Sequence, residues 1–402
     1  MTTLPTLYKL TSANALQYWQ VSVEAATITT RYGHVGGAEL STSDTLTEGK
    51  NAGRSNATTP EQQAIAEAQS RWDKQRKRGY VETTEAAQRG DVSEAVEGGV
   101  VPMTAKVWEE YAEKIVYPVA VQPKLDGHRM IAEVKVNVWA PTAERPAGCE
   151  VSVDLWTRTR KRVTSVPHIA EALADLFQRH AVNGTLAQYG FTSSAAATFA
   201  LLLDGELYTH ELRSDFERLS SLARQSKSHP DAKQLQYHVY DVVSPLGFRD
   251  RFAKLEHLFD ASSPLRLVET VYADSAEQVF GHHEYFVEEG YEGAMVRHIT
   301  TPYEHKRSSQ LLKLKDFLDG DFVITALEEG RGKLHGCVGA FVLKTEDGKE
   351  FRAKWAAPEA DLRKAFAEPE KWIGQRAVVK YQNLSTDGIP RFPILLRRRD
   401  DL

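Results

Sequence analysis

Two apolar, strand-like runs, VAVQP and MIAEVKV, flank the hexapeptide Lys124-Leu125-Asp126-Gly127-His128-Arg129, which restricts the middle of the chain to a β-rich region broken by a charged turn. Asp-Gly between such runs is a strong hairpin signal, and on that reading Lys124 and Arg129 are solvated turn residues. The chemical reading is that a lysine amine, partly deprotonated by nearby positive charge, attacks phosphorus and holds a nucleotide as a phosphoramidate. Arg129, just past the turn, then holds phosphate or sugar oxygens.

The 402 residues are enough for two or three domains with separate cores. With 42% hydrophobic and 26% charged residues the chain has globular composition, which excludes wholesale disorder and fibrous repeats. MTTLPTLYKL has no basic segment followed by an apolar stretch, and no run of about 18 apolar residues occurs, so a cytoplasmic protein without a targeting signal or membrane partner is expected. Cys149 and Cys337 form no metal-ligand spacing and read as reduced, incidental thiols. A net charge of -5 argues weakly against a nucleic-acid partner, but binding depends on where the charge lies.

Pattern changes divide the chain into an α/β multidomain arrangement. Residues 1–82 give short strands and then a helical stretch, PEQQAIAEAQSRWDKQRKRGY, with Ile65, Ala68 and Trp72 at helical spacing. Residues 83–100 are polar, acidic and poor in large apolar side chains, as a solvated connector should be. From 101 to 317, β-rich runs such as FALLLDGELY and YHVYDVV alternate with helical patterns such as HIAEALADLFQRH, predicting a mixed α/β domain. Residues 318–402 give about five short strands with close glycine turns and one helical insert, predicting a small oligonucleotide-binding (OB) barrel. The Ala/Ser/Thr stretch TSSAAAT reads as a loop.

Lys-x-Asp-Gly-x-Arg resembles the nucleotidyl-lysine motif of polynucleotide ligases and capping enzymes, and further motifs of that superfamily follow in order. The resemblance implies that Lys124 is the catalytic nucleophile. LDGELY resembles the third motif; its period of two sends Asp204 and Glu206 to one face of a strand. VYDVV places Tyr240 where relatives stack a ring on the purine. YEGAMVR makes Glu292 the expected metal-binding carboxylate, together with Glu206, and LLKLKDF sends Lys313 and Lys315 to one face for the nucleotide. Gln122 stands where ligases commonly have a glutamate that accepts from the adenine amino group, a task open to an amide oxygen. In TRTRK, Arg158 fits the short motif after the lysine and Arg160 competes, because NVWAPTAERPAGCEV is inserted before it.

The implied cofactors are ATP and Mg²⁺, with Mn²⁺ a possible substitute, since AMP transfer builds negative charge that cations must offset. His282, His283, His298 and His305 have no zinc spacing and read as structural or surface residues. Arg391-Phe392-Pro393 with Arg399-Asp400-Asp401 resembles the last motif of the DNA ligases, which orients pyrophosphate.

Arg31-Tyr32-Gly33-His34-Val35-Gly36 resembles the WGR domain, a small nucleic-acid-binding fold, with Tyr for Trp and His for Arg; Lys74, Arg76, Lys77 and Arg78 add a basic patch suited to phosphates. The combined expectation is a monomeric ATP-dependent DNA ligase that seals nicked duplex DNA in replication or repair. Its rivals are an RNA ligase, a capping guanylyltransferase and an inactive nick-binding adaptor.

Overall fold

The computed structural model describes every residue except 12–13, 52, 92–97, 140–142, 144–147, 192–196, 260–263, 332–333 and 400–402. Asp400 and Asp401, most of TSSAAAT and the middle of the insertion before Arg158 therefore lie outside the described residues. Two compact units are present, Glu97–Asp316 and a second formed by Met1–Val96 with Phe317–Leu402. No helix among the described residues is long and apolar enough to cross a membrane.

The N-terminal segment is a sheet of β1 (Thr2–Thr3), β2 (Leu7–Leu10), β3 (Leu16–Glu24), β4 (Thr27–His34) and β5 (Glu39–Thr45), ordered β1-β3-β4-β5 with β2 also on β3. Helix α1 (Pro60–Lys77) starts at Thr59, whose side chain and that of Gln62 cap each other's backbone N–H groups. Its buried stripe is Ala64, Ala68 and Trp72, against Leu7, Trp19, Val21 and Ile28. Ile65, expected in that stripe, is 50% exposed, because the i, i+4, i+8 row from Ala64 faces the sheet and Ile65 sits one position around the helix. The stretch read as a solvated connector also holds a helix, α2 (Thr84–Arg89), capped by Thr83 and ended by Gly90 at φ 77°, with Ala87 buried. A capping threonine and a left-handed glycine specify that helix without any large apolar residue.

The central unit packs two five-stranded sheets. One follows the order β12-β11-β10-β8-β9, from β8 (His128–Trp139), β9 (Gly148–Thr157), β10 (Ala197–Tyr208), β11 (Gln236–Val242) and β12 (Leu265–Leu267). The other is β13-β7-β14-β15-β6, from β6 (Thr104–Val107), β7 (Val119–Pro123), β13 (Val271–Ala273), β14 (Ala294–His298) and β15 (Arg307–Leu314). Helices α3 (Trp108–Tyr111), α4 (Pro167–Val182), α5 (Thr185–Gln188), α6 (Phe216–Ala223), α7 (Phe248–Glu256) and α8 (Ala276–Glu288) complete it. Alternation sorts the second sheet's faces: Val119, Val121, Ala294, Val296, Leu312 and Leu314 share a core with Val279 and Phe286 of α8. Burying each such Val, Leu or Phe contributes about 1.5–3 kcal/mol. The opposite face of these strands is left for Gln122, Met295, Arg297, Leu311 and Lys313.

The Asp-Gly hairpin does not form. Strand β7 pairs with β13 and β14, and β8 pairs with β9 and β10, so Lys124–Gly127 carries the chain from one sheet to the other. A Cβ at residue 127 would lie 2.3 Å from the Leu207 carbonyl oxygen, and glycine is what lets the turn press against β10.

The C-terminal segment is a closed barrel ordered β16-β17-β18-β20-β19, from β16 (Leu318–Glu329), β17 (Val338–Lys344), β18 (Glu350–Trp355), β19 (Arg376–Tyr381) and β20 (Ile394–Arg398), with α9 (Glu359–Ala367) inserted before β19. Its core is built on Ile324, Phe341, Leu343, Val379 and Leu395. Arg399 pairs with Asp321 at 3.1 Å, and the Arg391 N–H donates to the Asn383 carbonyl at 2.8 Å.

Candidate active site

A cavity of about 470 Å³ lies where the two sheets of the central unit face each other. One sheet contributes a cross-strand row in which Gln122 stands opposite Met295 and Met295 opposite Lys313. The other contributes Arg129 and Glu206, themselves cross-strand partners, and Tyr240. Lys124, Arg158 and Arg307 also line it. Cations thus dominate the wall, with Glu206 the acid among them, as suits a polyanionic ligand.

Lys124 is fixed by backbone pairing: its N–H donates to the Gly293 carbonyl at 2.8 Å and its carbonyl accepts from the Glu292 N–H at 3.0 Å. Its amine forms a short ion pair with Glu292, and Lys315 Nζ donates to the other oxygen of that carboxylate at 3.1 Å. Burial pushes the Glu292 carboxyl up, but Lys124 and Lys315 outweigh it and hold the group below the usual carboxylate range. Burial, then Lys315, Lys124 and Arg307, push the Lys313 ammonium down. Glu206 makes no hydrogen bond to a described residue, and burial pushes its carboxyl up to about 8 against the pull of Lys124 and Arg129.

Arg129 is held by Asp204 through Nε at 2.9 Å and Nη2 at 2.5 Å, and the Tyr303 hydroxyl donates to the same carboxylate at 2.6 Å. Asp204 is therefore the residue that positions Arg129, while Glu206, two places on and on the same face, meets the cavity. The Tyr240 ring has the Arg129 guanidinium 5.7 Å away and that of Arg297 5.3 Å away. Gln122 is buried; its Nε2 donates to the Tyr240 carbonyl at 3.2 Å and to Thr270 Oγ1 at 2.8 Å, and its Oε1 accepts from Arg297 Nε at 2.7 Å.

Arg158 lines this cavity and also a groove of about 850 Å³ with Lys161, Arg162 and Arg224 that shares Arg129 and Glu206 with it. Arg160 turns elsewhere, donating to the Gly98 carbonyl at 3.1 Å with φ 63°. Arg391 and Arg399 belong to the barrel. Sequence reasoning missed Arg297, Arg307 and the buried Asp241–Arg251 pair; the signal for Arg297 was its period-two spacing from Met295 on β14. Among the described residues no His, Cys, Asp and Glu cluster of three or more that could hold a metal occurs, and His283 pairs with Asp316 at 3.0 Å.

A cationic cavity of nucleotide size with the Lys124–Glu292 pair beside it, and a separate five-stranded barrel on the same chain, suit the class of polynucleotide ligases. Residues 102–315 match the ATP dependent DNA ligase domain and residues 329–399 the DNA ligase OB-like domain. The DNA ligase of African swine fever virus (strain Badajoz 1971 Vero-adapted) is 26% identical over 336 residues, covering 79% of this chain and 68% of that one. The Haemophilus influenzae DNA ligase is 29% identical over 200 residues, covering 49% and 71%. In fold, a solved Lig E DNA ligase superposes with a TM-score of 0.53 at 23% identity, covering 74% of this chain and 98% of that one. The chain belongs to the ATP-dependent DNA ligase family, and its activity is that of a DNA ligase using ATP.

Proposed function

We propose that this ligase carries AMP on Lys124 and seals nicks in duplex DNA as a single chain. The Lys124 amine forms a bond to the α-phosphorus as the bond to pyrophosphate breaks. An oxygen of the nick's 5′-phosphate then takes the AMP and frees the amine. The 3′-hydroxyl finally attacks that 5′-phosphorus and AMP leaves. The observation that carries the reading is the pairing of Lys124 and Lys315 with one carboxylate, Glu292, beside a cavity that Gln122, Arg129, Tyr240 and Lys313 also line. Tyr240 stacks on the purine, Arg129 and Lys313 hold phosphate or sugar oxygens, and Arg158, shared between cavity and groove, contacts phosphates of ATP and of DNA.

Glu206 and Glu292 suit Mg²⁺ or Mn²⁺: hard oxygens, one of them unbonded to protein and kept part-protonated by burial until a cation offsets its charge. Such an ion supplies charge neutralisation at the phosphates. Arg391 and Arg399 are assigned to orienting pyrophosphate. Residues 1–82 are assigned as a WGR-like DNA-affinity module, on the β4–β5 hairpin carrying Arg31-Tyr32-Gly33-His34 and the exposed Lys74 and Arg78 at the end of α1.

The test incubates the protein with α-labelled ATP or GTP and Mg²⁺ and follows covalent label. Label from ATP that survives in Lys124→Ala would overturn the assignment.

A further inference from the structure

Residues 98–103, which end the stretch read as a connector and lead into β6, form a strap that is tied down along its length. Gly98 and Gly99 lie flat against the indole of Trp156: a Cβ at residue 98 would come within 2.3 Å of a ring carbon and one at residue 99 within 2.8 Å, where φ is also 67°. Trp156 is itself buried, its Nε1 donating to Glu133 Oε2 at 3.1 Å. The Gly98 carbonyl accepts from Arg160 Nε at 3.1 Å, and the Val101 carbonyl meets His305 Nδ1 at 2.8 Å. Pro102 and Met103 are buried, and the Met103 N–H donates to the Tyr303 hydroxyl at 3.0 Å. A tether that only joined two modules would need none of these ties.

Each end of the strap meets a residue that adjoins an arginine of the cavity. At one end Arg160 closes a tight turn: its N–H donates to the Thr157 carbonyl at 2.8 Å, and the Thr157 N–H donates to the Lys161 carbonyl at 2.8 Å. Arg158 sits inside that turn. Arg160 holds φ 63°, a left-handed backbone that costs a residue with a Cβ and that glycine adopts freely. Its bond to the Gly98 carbonyl is what an arginine adds there. At the other end the Tyr303 hydroxyl accepts from Met103 and gives its one proton to Asp204 Oδ2 at 2.6 Å, the oxygen that also takes Arg129 Nη2. With one hydrogen to give and one N–H to receive, that hydroxyl has its rotation fixed from both sides.

We propose that the strap braces the catalytic site: Arg160 and Tyr303 are positioning residues that hold Arg158, through the Thr157–Lys161 turn, and Arg129, through Asp204, at the cavity wall. Neither Arg160 nor Tyr303 lines the cavity, so each acts through the arginine it supports. The proposal rests on the reading of the Lys124 cavity as the ATP site. It makes the last residues before β6 part of the nucleotide-binding machinery, although they carry no group that touches the nucleotide.

The test measures covalent labelling of the full-length protein by α-labelled ATP, with KM and kcat separated. Tyr303→Phe deletes only the hydroxyl, and Arg160→Gly deletes the tie to Gly98 while relieving the left-handed backbone. Each should raise KM for ATP by roughly 3–10-fold, the weight of about one hydrogen bond. The kcat should stay within about twofold, because arginines that bind ground and transition states alike act on KM. Arg160→Lys, which keeps a donor, should recover part of the affinity. In an Asp204→Asn background Tyr303→Phe should add less than about twofold, since its path to Arg129 is already cut. A KM unchanged in Arg160→Gly or in Tyr303→Phe overturns the brace at that end and leaves the Lys124 reading standing, and full additivity with Asp204→Asn overturns the path through Asp204. Wild-type protein that takes no label overturns the Lys124 reading and the brace together. Should Tyr303→Phe fail to fold, Arg160→Gly and Arg160→Lys decide the question by themselves.

Discussion

Arg129 and Asp204 clasp each other across the β8–β10 pair, Nε to Oδ1 and Nη2 to Oδ2, with the carboxylate wholly buried and the guanidinium at the cavity wall. The carboxylate's work is to aim the arginine. Asp204→Ala should lower unfolding free energy by about 3 kcal/mol, the lower end for breaking a buried pair because Arg129 keeps some access to water. It should also raise KM for ATP in the labelling reaction. Denaturant unfolding and labelling kinetics check both, and a variant as stable as the wild type would contradict the pairing.

Lys124→Ala should lose labelling by ATP yet retain measurable sealing of a nick already carrying 5′-AMP, since the amine is needed only to activate the end. Comparing the two substrates side by side distinguishes loss of the nucleophile from loss of the fold.

Tyr240→Ala should weaken ATP use more than sealing of pre-adenylylated DNA, by about 1–3 kcal/mol for a lost stacking surface. The ring's flanking guanidinium groups also lose a partner, so thermal stability should be measured on the same protein. Equal effects on both reactions would make Tyr240 a core residue.

If residues 1–82 add affinity through phosphates, the exposed Lys74 and Arg78 are the cations to remove. Replacing both with alanine should flatten the slope of log affinity for nicked DNA against log salt by about 1.8, at roughly 0.9 per contact, and leave labelling by ATP unchanged. Parallel slopes would assign the module another partner.

His238, on β11, bears on stability below neutral pH. Burial first, then Arg266 and His210, push its imidazole down to about 4. The unfolded chain binds the proton near pH 6.5, so this group's contribution is fully present above that value and is lost as pH falls towards 4. The loss is at most about 1.4 kcal/mol per pH unit. His238→Gln should flatten unfolding free energy against pH within that window; an unchanged slope would place the titration elsewhere.

Much of the site was legible because strand alternation and motif order are local properties. The period of two in LDGELY matches the strand pairing that sets Glu206 opposite Arg129, whereas Lys315 lies just past the end of β15 and pairs with Glu292 while Lys313 lines the cavity; the barrel was visible in its strand and turn spacing. Other features depended on partners remote in sequence. Gln122 and Arg297 are 175 residues apart, and nothing local marks Arg297 as the donor to that amide. Asp-Gly signalled a hairpin, but the strands on either side found better partners in different sheets. Ile65 misled because helical spacing alone does not say which of two overlapping rows meets the sheet.

The crossing of Lys124–Gly127 from one sheet to the other has a consequence for how this enzyme tolerates change. Each wall of the Lys124 cavity is backed by its own core, Val121, Val296 and Phe286 behind one and Met130, Leu203 and Phe177 behind the other. With Lys124 in its proposed role, a truncation in either core should shift one wall against a lysine tethered to both and widen its gap to the phosphate before the fold is lost. Distant core substitutions here act as a vernier on nucleotide affinity, and catalytic decline should precede melting along such a series.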